Sequence, residues 1–397
     1  MKKGYKKEFE EAKIMRSYVT EDTVKITKYD VAGKLPDPFV FDDGSRVKTR
    51  EDWFRRRKEM YKSVVELQYG TMPPEPEFVE VEKLSGWGGT NESYRVTSGT
   101  RAHPVSFTMY IKGGCTEEKR PAVIDGDLCF GYPFDKQFIS TFTDKNIMLV
   151  LFNRVELAND VQHEGRGHGP LYEAYPDCTF GALGAWAWGY SRCVDALEIL
   201  GYADMDCITF TGHSRGGKTA ALAGVLDERA AIVNPNETCA GACSCYRLNI
   251  EAVTENGEVK RSESLADLWR AFDFWMGPEL GEYCDKVEEL PFDCHFLKAM
   301  IAPRVLFVSE AASDIWGNPV GSWQTTMAAK EVYKFLGVPE NLKWYFRNGT
   351  HFHQIEDVDM LTNVIMNFKN GEELYDNYSR IPFEKPELIF DWKCPEE

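Results

Sequence analysis

The chain has 397 residues, a net charge of −17, 43% hydrophobic and 13% aromatic side chains. That length suits one large α/β domain or two ordinary ones, and the apolar content excludes a disordered chain. The acidic surface argues against nucleic-acid binding and against docking on anionic membranes, and no run of about 18 apolar residues is present to span one.

In chain order, residues 1–34 are charged and irregular and read as an N-terminal arm over the body. The two lysines at positions 2 and 3 are followed by no apolar stretch, so no signal peptide is expected and the chain reads as cytoplasmic. A secreted form would need a leader outside this sequence. Eleven scattered cysteines fit free thiols in a reducing compartment. The densest group, Cys239, Cys243 and Cys245, lacks zinc-site spacing and reads as small buried hydrophobes, so no metal is expected.

Residues 49–69 predict a helix, with Thr49 able to cap it and Gly70 to stop it. Pro73, Pro74 and Pro76 break regular structure after it. Strands are expected at 105–111, 121–124, 147–152, 207–211, 230–233, 304–309 and 342–346. Helices are expected at 181–200, 218–225, 323–336 and 355–368. Strands alternating with helices imply an α/β three-layer sandwich with a mainly parallel twisted sheet covered on both faces. Residues 35–397 then form one catalytic domain, with an insertion at about 246–290 that is helical near 265–274.

Gly212-His213-Ser214-Arg215-Gly216 fits the G-x-S-x-G pattern, with a predicted strand before it and a helix after it. Such a turn lifts a serine oxygen above the sheet and sets it at a helix N-terminus, whose free N–H groups stabilise an oxyanion. A serine hydroxyl needs a histidine base. The loop after the last predicted strand, Asn348-Gly349-Thr350-His351-Phe352-His353, offers His351 or His353. Two acids could orient that base: Asp314, after strand 304–309, and Glu237, one strand earlier.

The stretch Thr211-Gly212-His213-Ser214-Arg215-Gly216-Gly217-Lys218 resembles the G-x-S-R-x-G-K signature of the glucuronoyl esterases. These are carbohydrate esterases of the α/β-hydrolase superfamily that cleave esters of (4-O-methyl-)glucuronic acid on xylan. The likeness extends over about residues 35–370, including 36–76, Gly181-Ala182-Leu183-Gly184-Ala185-Trp186 and Ile301-Ala302-Pro303-Arg304. The resemblance implies a Ser-His-acid mechanism without cofactor. It makes Ser214 the nucleophile, Arg215 the oxyanion residue, Lys218 a sugar contact, Glu237 the acid and His353 the base, as the second member of an H-x-H pair. Asp314 stays open, because bacterial members place the acid after the later strand. Trp316 resembles the tryptophan that lines the sugar pocket. Glu258 and Glu263 are candidate sugar contacts in the insertion, and His295 is a further one whose plainer reading is a structural hydrogen bond.

Well-studied members of the family carry two disulfide-bonded cysteines where this chain has His213 and Gln354. The implied partner is a carbohydrate ester, a fragment of glucuronoxylan. Two other functions fit the same residues. One is an acetyl xylan or feruloyl-type esterase, and the other is a catalytically degenerate sugar-binding homologue.

Overall fold

The computed structural model describes residues 24–87, 90–114, 118–162, 164–254, 256–374, 379–380, 383–384 and 386–396. Most of the expected arm, residues 1–23, lies outside them. Residues Val24–Val31 form strand β1. The next strands are β2 (Phe78–Trp87), β3 (Asn91–Gly99), β4 (Pro104–Lys112), β5 (Arg120–Asp125), β6 (Met148–Phe152) and β7 (Ala203–His213). They are followed by β8 (Ala230–Asn236), β9 (Leu248–Thr254), β10 (Val259–Arg261), β11 (Val305–Ala311), β12 (Leu342–Arg347) and β13 (Ser379–Arg380).

Ten strands make one sheet in the order β13-β12-β11-β8-β7-β5-β6-β4-β3-β2. The strands from β13 to β6 run parallel, and β4, β3 and β2 continue the sheet as an antiparallel meander. The central strands are apolar on both faces, as a sheet covered on both sides requires: Met148–Phe152 and the apolar side chains of Val305–Ala311 are all buried. A separate sheet, β1-β9-β10, joins residues 24–31 to the insertion through antiparallel pairing.

The helix after Thr49 forms where expected. Thr49 and Asp52 make a reciprocal capping box, helix Arg50–Met60 passes into a wider turn over Tyr61–Glu66, and the last turn, Leu67–Tyr69, ends at Gly70. Helices Ala182–Leu200 and Arg215–Leu226 pack on each other beside β7. Helices Pro319–Phe335 and Ile355–Asn370 flank β11 and β12. The parallel strands therefore deliver their C-terminal ends to one edge. The loops after β7, β8, β11 and β12 meet there, where open α/β sheets bind ligands.

Candidate active site

Ser214 sits at the turn between β7 and helix Arg215–Leu226 with φ 58° and ψ −120°, a conformation costly for a residue with a side chain. Its backbone N–H is tied to Asn236 O at 2.9 Å. The glycines around it are required by space. A Cβ on Gly212 would lie 2.5 Å from Gly216 O, and one on Gly216 would lie 2.0 Å from the Asp127 carboxylate. Asp127 is fixed there by the His213 N–H at 2.7 Å, the Tyr132 hydroxyl at 2.8 Å and an ion pair with Arg154. The first-turn N–H groups of the helix have no partner within the helix and open beside the serine.

His351, rather than His353, reaches Ser214. His351 Nε2 lies 2.9 Å from Ser214 Oγ, and its Nδ1 lies 2.7 Å from Asp314 Oδ2. This corrects the placement of the base at His353. The loop explains the difference. Arg347 donates to the carbonyls of Thr350 and Phe352, and the Phe352 N–H closes back on Thr350 O at 2.7 Å. That tight turn projects His351 toward β7 and folds His353 beneath it. His353 stacks on His213 with ring centroids 5.2 Å apart and lies edge-on to Tyr132 at 4.8 Å. Desolvation lowers the pKa of both rings, for His213 well below the usual imidazole range, with His351 and His353 nearby adding to the effect. His213 Nδ1 pairs with Asn236 Oδ1 at 2.7 Å. His213, at one of the two positions where the family carries cysteines, thus packs on His353, while Gln354, at the other, is the N-cap of helix Ile355–Asn370.

Glu237 is corrected as the histidine's hydrogen-bonding acid. It is fully buried after β8, and its Oε1 is engaged by Arg347, which also donates to Asp357 at 2.8 Å. Its Oε2 stands 3.5 Å from His351 Nδ1, farther than Asp314. Burial pushes the Glu237 carboxyl well above the usual range, and Arg347 works against that shift.

The Arg215 side chain is held beside the serine. Its guanidinium donates to Asp160 at 3.0 Å and lies 4.7 Å from the Trp275 ring centroid, with Phe272 at 5.5 Å and Phe130 at 5.7 Å. Asp160 also accepts from Trp275 Nε1 at 3.0 Å. Asp160 and Trp275 were not legible in the sequence because they reach the site from segments remote in the chain, and Arg347 because its bonds to the Thr350 and Phe352 carbonyls leave no spacing signal.

Lys218 is buried one turn beyond Ser214, donating to Thr238 O and lying 5.9 Å from the Trp275 ring. Glu263, also buried, accepts from the Ala240 N–H at 3.1 Å. Desolvation raises its pKa, and Lys218 opposes the shift. Its own N–H donates to Trp316 O at 2.9 Å, and the Trp316 side chain is 45% exposed beyond Asp314. Lys218, Glu263 and Trp316 are therefore neighbours, with Lys218 one turn along the helix that follows the serine.

Glu258 and His295 do not join them. Glu258 is in the turn between β9 and β10, exposed and 3.7 Å from Lys260. His295 is fully buried in helix Cys294–Ile301, bonded to Pro36 O at 2.9 Å and stacked near Trp392. Burial lowers its pKa to about 3. Both are corrected as substrate contacts: one sits on a hairpin turned to solvent, and the other is locked into the packing of the chain's two ends.

The sequence model of glucuronyl esterases from fungi matches residues 96–337. A 4-O-methyl-glucuronoyl methylesterase of Wolfiporia cocos is 31% identical over 81% of this chain and 76% of its own length. One of Schizophyllum commune is 31% identical over 87% and 84%. The chain belongs to the glucuronoyl esterase family.

A family 15 glucuronoyl esterase structure from Caldicellulosiruptor kristjansonii superimposes with a TM-score of 0.79 at 26% identity, covering 95% of this chain and all of that one. The fold is accordingly that of the α/β-hydrolases. Membership also corrects the expected cytoplasmic location, since the fungal glucuronoyl esterases are secreted, extracellular enzymes. Buried cysteines explain why thiol usage misled. Cys193, Cys207, Cys243 and Cys245 are buried free thiols that pack as small apolar groups, and such packing carries no compartment signal. Among the described residues no helix is long and apolar enough to cross a membrane.

Proposed function

We propose that the chain hydrolyses esters of 4-O-methylglucuronic acid on glucuronoxylan fragments, with Ser214, His351 and Asp314 as its triad on a single catalytic domain. The observation that carries this reading is the Ser214 Oγ–His351 Nε2–Asp314 hydrogen-bond chain, with Arg215 and Lys218 in the first turn of the helix that follows the serine. His351 takes the Ser214 proton as Oγ attacks the ester carbonyl. Asp314 keeps the remaining imidazole proton on Nδ1 and stabilises the imidazolium. The helix N–H groups and the Arg215 guanidinium stabilise the tetrahedral oxyanion. His351 returns its proton to the leaving alcohol, and water then resolves the acyl-enzyme by the same route.

Lys218, Glu263 and Trp316 are the groups that would hold the uronate ring, pairing an ammonium and a carboxylate with hydroxyls and an aromatic face with the sugar. A related structure from Sporotrichum thermophile, 27% identical and with a TM-score of 0.73, is a serine-to-alanine mutant complexed with methyl 4-O-methyl-beta-D-glucopyranuronate; it covers 89% of this chain and 92% of that one.

The test is hydrolysis of benzyl glucuronate beside p-nitrophenyl acetate, with Ser214→Ala as the blank. Serine-dependent cleavage of the glucuronate ester, reduced at least tenfold more by Lys218→Ala than acetate cleavage is, supports the reading. Acetate cleavage alone rejects it in favour of a deacetylase.

A further inference from the structure

The face of His351 turned away from Ser214 carries an unusual set of donor atoms. Asp314 Oδ2 is 2.7 Å from Nδ1, Glu237 Oε2 is 3.5 Å away and Cys239 Sγ is 4.0 Å away. The ligating atoms of Cys239, Asp314 and His351 all lie within 4.8 Å of one another. Glu237 Oε2 is an independent pointer. It is fully buried and aimed at the same nitrogen, and among the described residues it has no hydrogen-bond partner. The backbone brings these groups together at some cost, since Glu237 and Cys239 have φ of 46° and 55°.

A thiolate, an imidazole and carboxylates form a donor set suited to zinc and poor for magnesium. Tetrahedral zinc, with bonds of about 2.0 Å to nitrogen or oxygen and about 2.3 Å to sulfur, sets its ligands roughly 3.3–3.6 Å apart. Cys239 would close on Nδ1 by roughly half an ångström and Asp314 would withdraw by a similar amount.

We propose that this face is an inhibitory binding site for Zn2+ or another thiophilic divalent cation, held by Cys239, His351, Asp314 and Glu237. The inhibitory consequence rests on the reading of His351 as the base. The cation takes the Nδ1 lone pair, so the single proton of the neutral ring moves from Nδ1 to Nε2. The Cys239 thiol releases its proton to solvent. Nε2 then faces Ser214 as an N–H donor and accepts no proton from it. The cation separates His351 from its acid and reverses its tautomer in one binding event.

The test is Co2+ titration of the full chain, followed by Zn2+ competition. The wild type should show a thiolate-to-cobalt charge-transfer band in the near ultraviolet that Zn2+ abolishes, and that band should be missing in both Cys239→Ala and Cys239→Ser. Zn2+ should inhibit ester hydrolysis in the wild type at concentrations at least tenfold lower than in either variant, with Mg2+ inert throughout. No band, a band that survives in the Cys239 variants, or equal inhibition of wild type and variants overturns the proposal. A Cys239-dependent band in a protein that hydrolyses no ester would keep the metal site and reject the esterase reading instead.

Discussion

Asp314 and Glu237 face the same imidazole nitrogen, and their surroundings separate them. Asp314 is within hydrogen-bond distance of Nδ1 and follows β11, whereas Glu237 is committed to Arg347 in a fully buried ion pair. Asp314→Asn should therefore lower kcat by about 10^3–10^4-fold, as expected when a triad loses the group that fixes its tautomer. Glu237→Gln should lower kcat far less and instead destabilise the fold by about 3 kcal/mol. That is the low end for breaking a buried pair, because Asp357 still faces Arg347. Steady-state kinetics and urea unfolding of the two variants separate these outcomes, and the reverse pattern would make Glu237 the acid. Asp160 acts through Arg215 and is a positioning residue. Asp160→Asn should leave KM nearly unchanged and lower kcat by about 10^2-fold, the scale of losing one oxyanion donor, in a single comparison of kcat with KM.

The serine turn, the histidine loop and the two acid loops are whole elements whose meeting depends on tight backbone crossings. Gly216 shows this most clearly. Asp127 is pinned by three partners, so it cannot retreat from a Cβ placed 2.0 Å away. Gly216→Ala should cost about 1–3 kcal/mol in urea unfolding, with activity falling as the turn shifts. The strand–turn–helix around Ser214 was legible in the sequence because its glycines and flanking apolar run have one common explanation. The choice between His351 and His353 was not. It depends on Arg347 gathering two carbonyls of the loop, a contact that leaves no spacing signal. Strands β2 and β3 were not recognised either. β2 is an edge strand of the sheet, and its residues 78–86 are partly or wholly exposed on both faces, without a clean apolar side. Helix Lys136–Thr143, capped by Asp135, is too short to show a clear period.

Across the whole molecule, buried imidazoles link stability to pH. The folded-state pKa of His295 is about 3, below the unfolded value near 6.5, so the unfolded chain binds more protons between these values. The contribution is complete above about pH 6.5 and is lost as pH falls toward 3, at up to about 1.4 kcal/mol per pH unit. His213 and His353 act in the same direction. Thermal unfolding from pH 7 to pH 4 should show a falling Tm, and His295→Gln should flatten part of that fall; a Tm independent of pH would contradict neutral burial. The parallel sheet and its order along the chain were legible because apolar strands alternate with amphipathic helices. The β1-β9-β10 sheet was not, because it pairs residues 24–31 with residues more than 200 positions away.

The central claim is that His351, and not its neighbour two residues on, activates Ser214. The most direct measurement is kcat for benzyl glucuronate in His351→Ala and His353→Ala, each checked for folding by circular dichroism. Folded His351→Ala should lose about 10^4-fold or more, and folded His353→Ala less than about tenfold. A folded His351→Ala enzyme that keeps its activity, or a folded His353→Ala enzyme that loses it, would contradict the account.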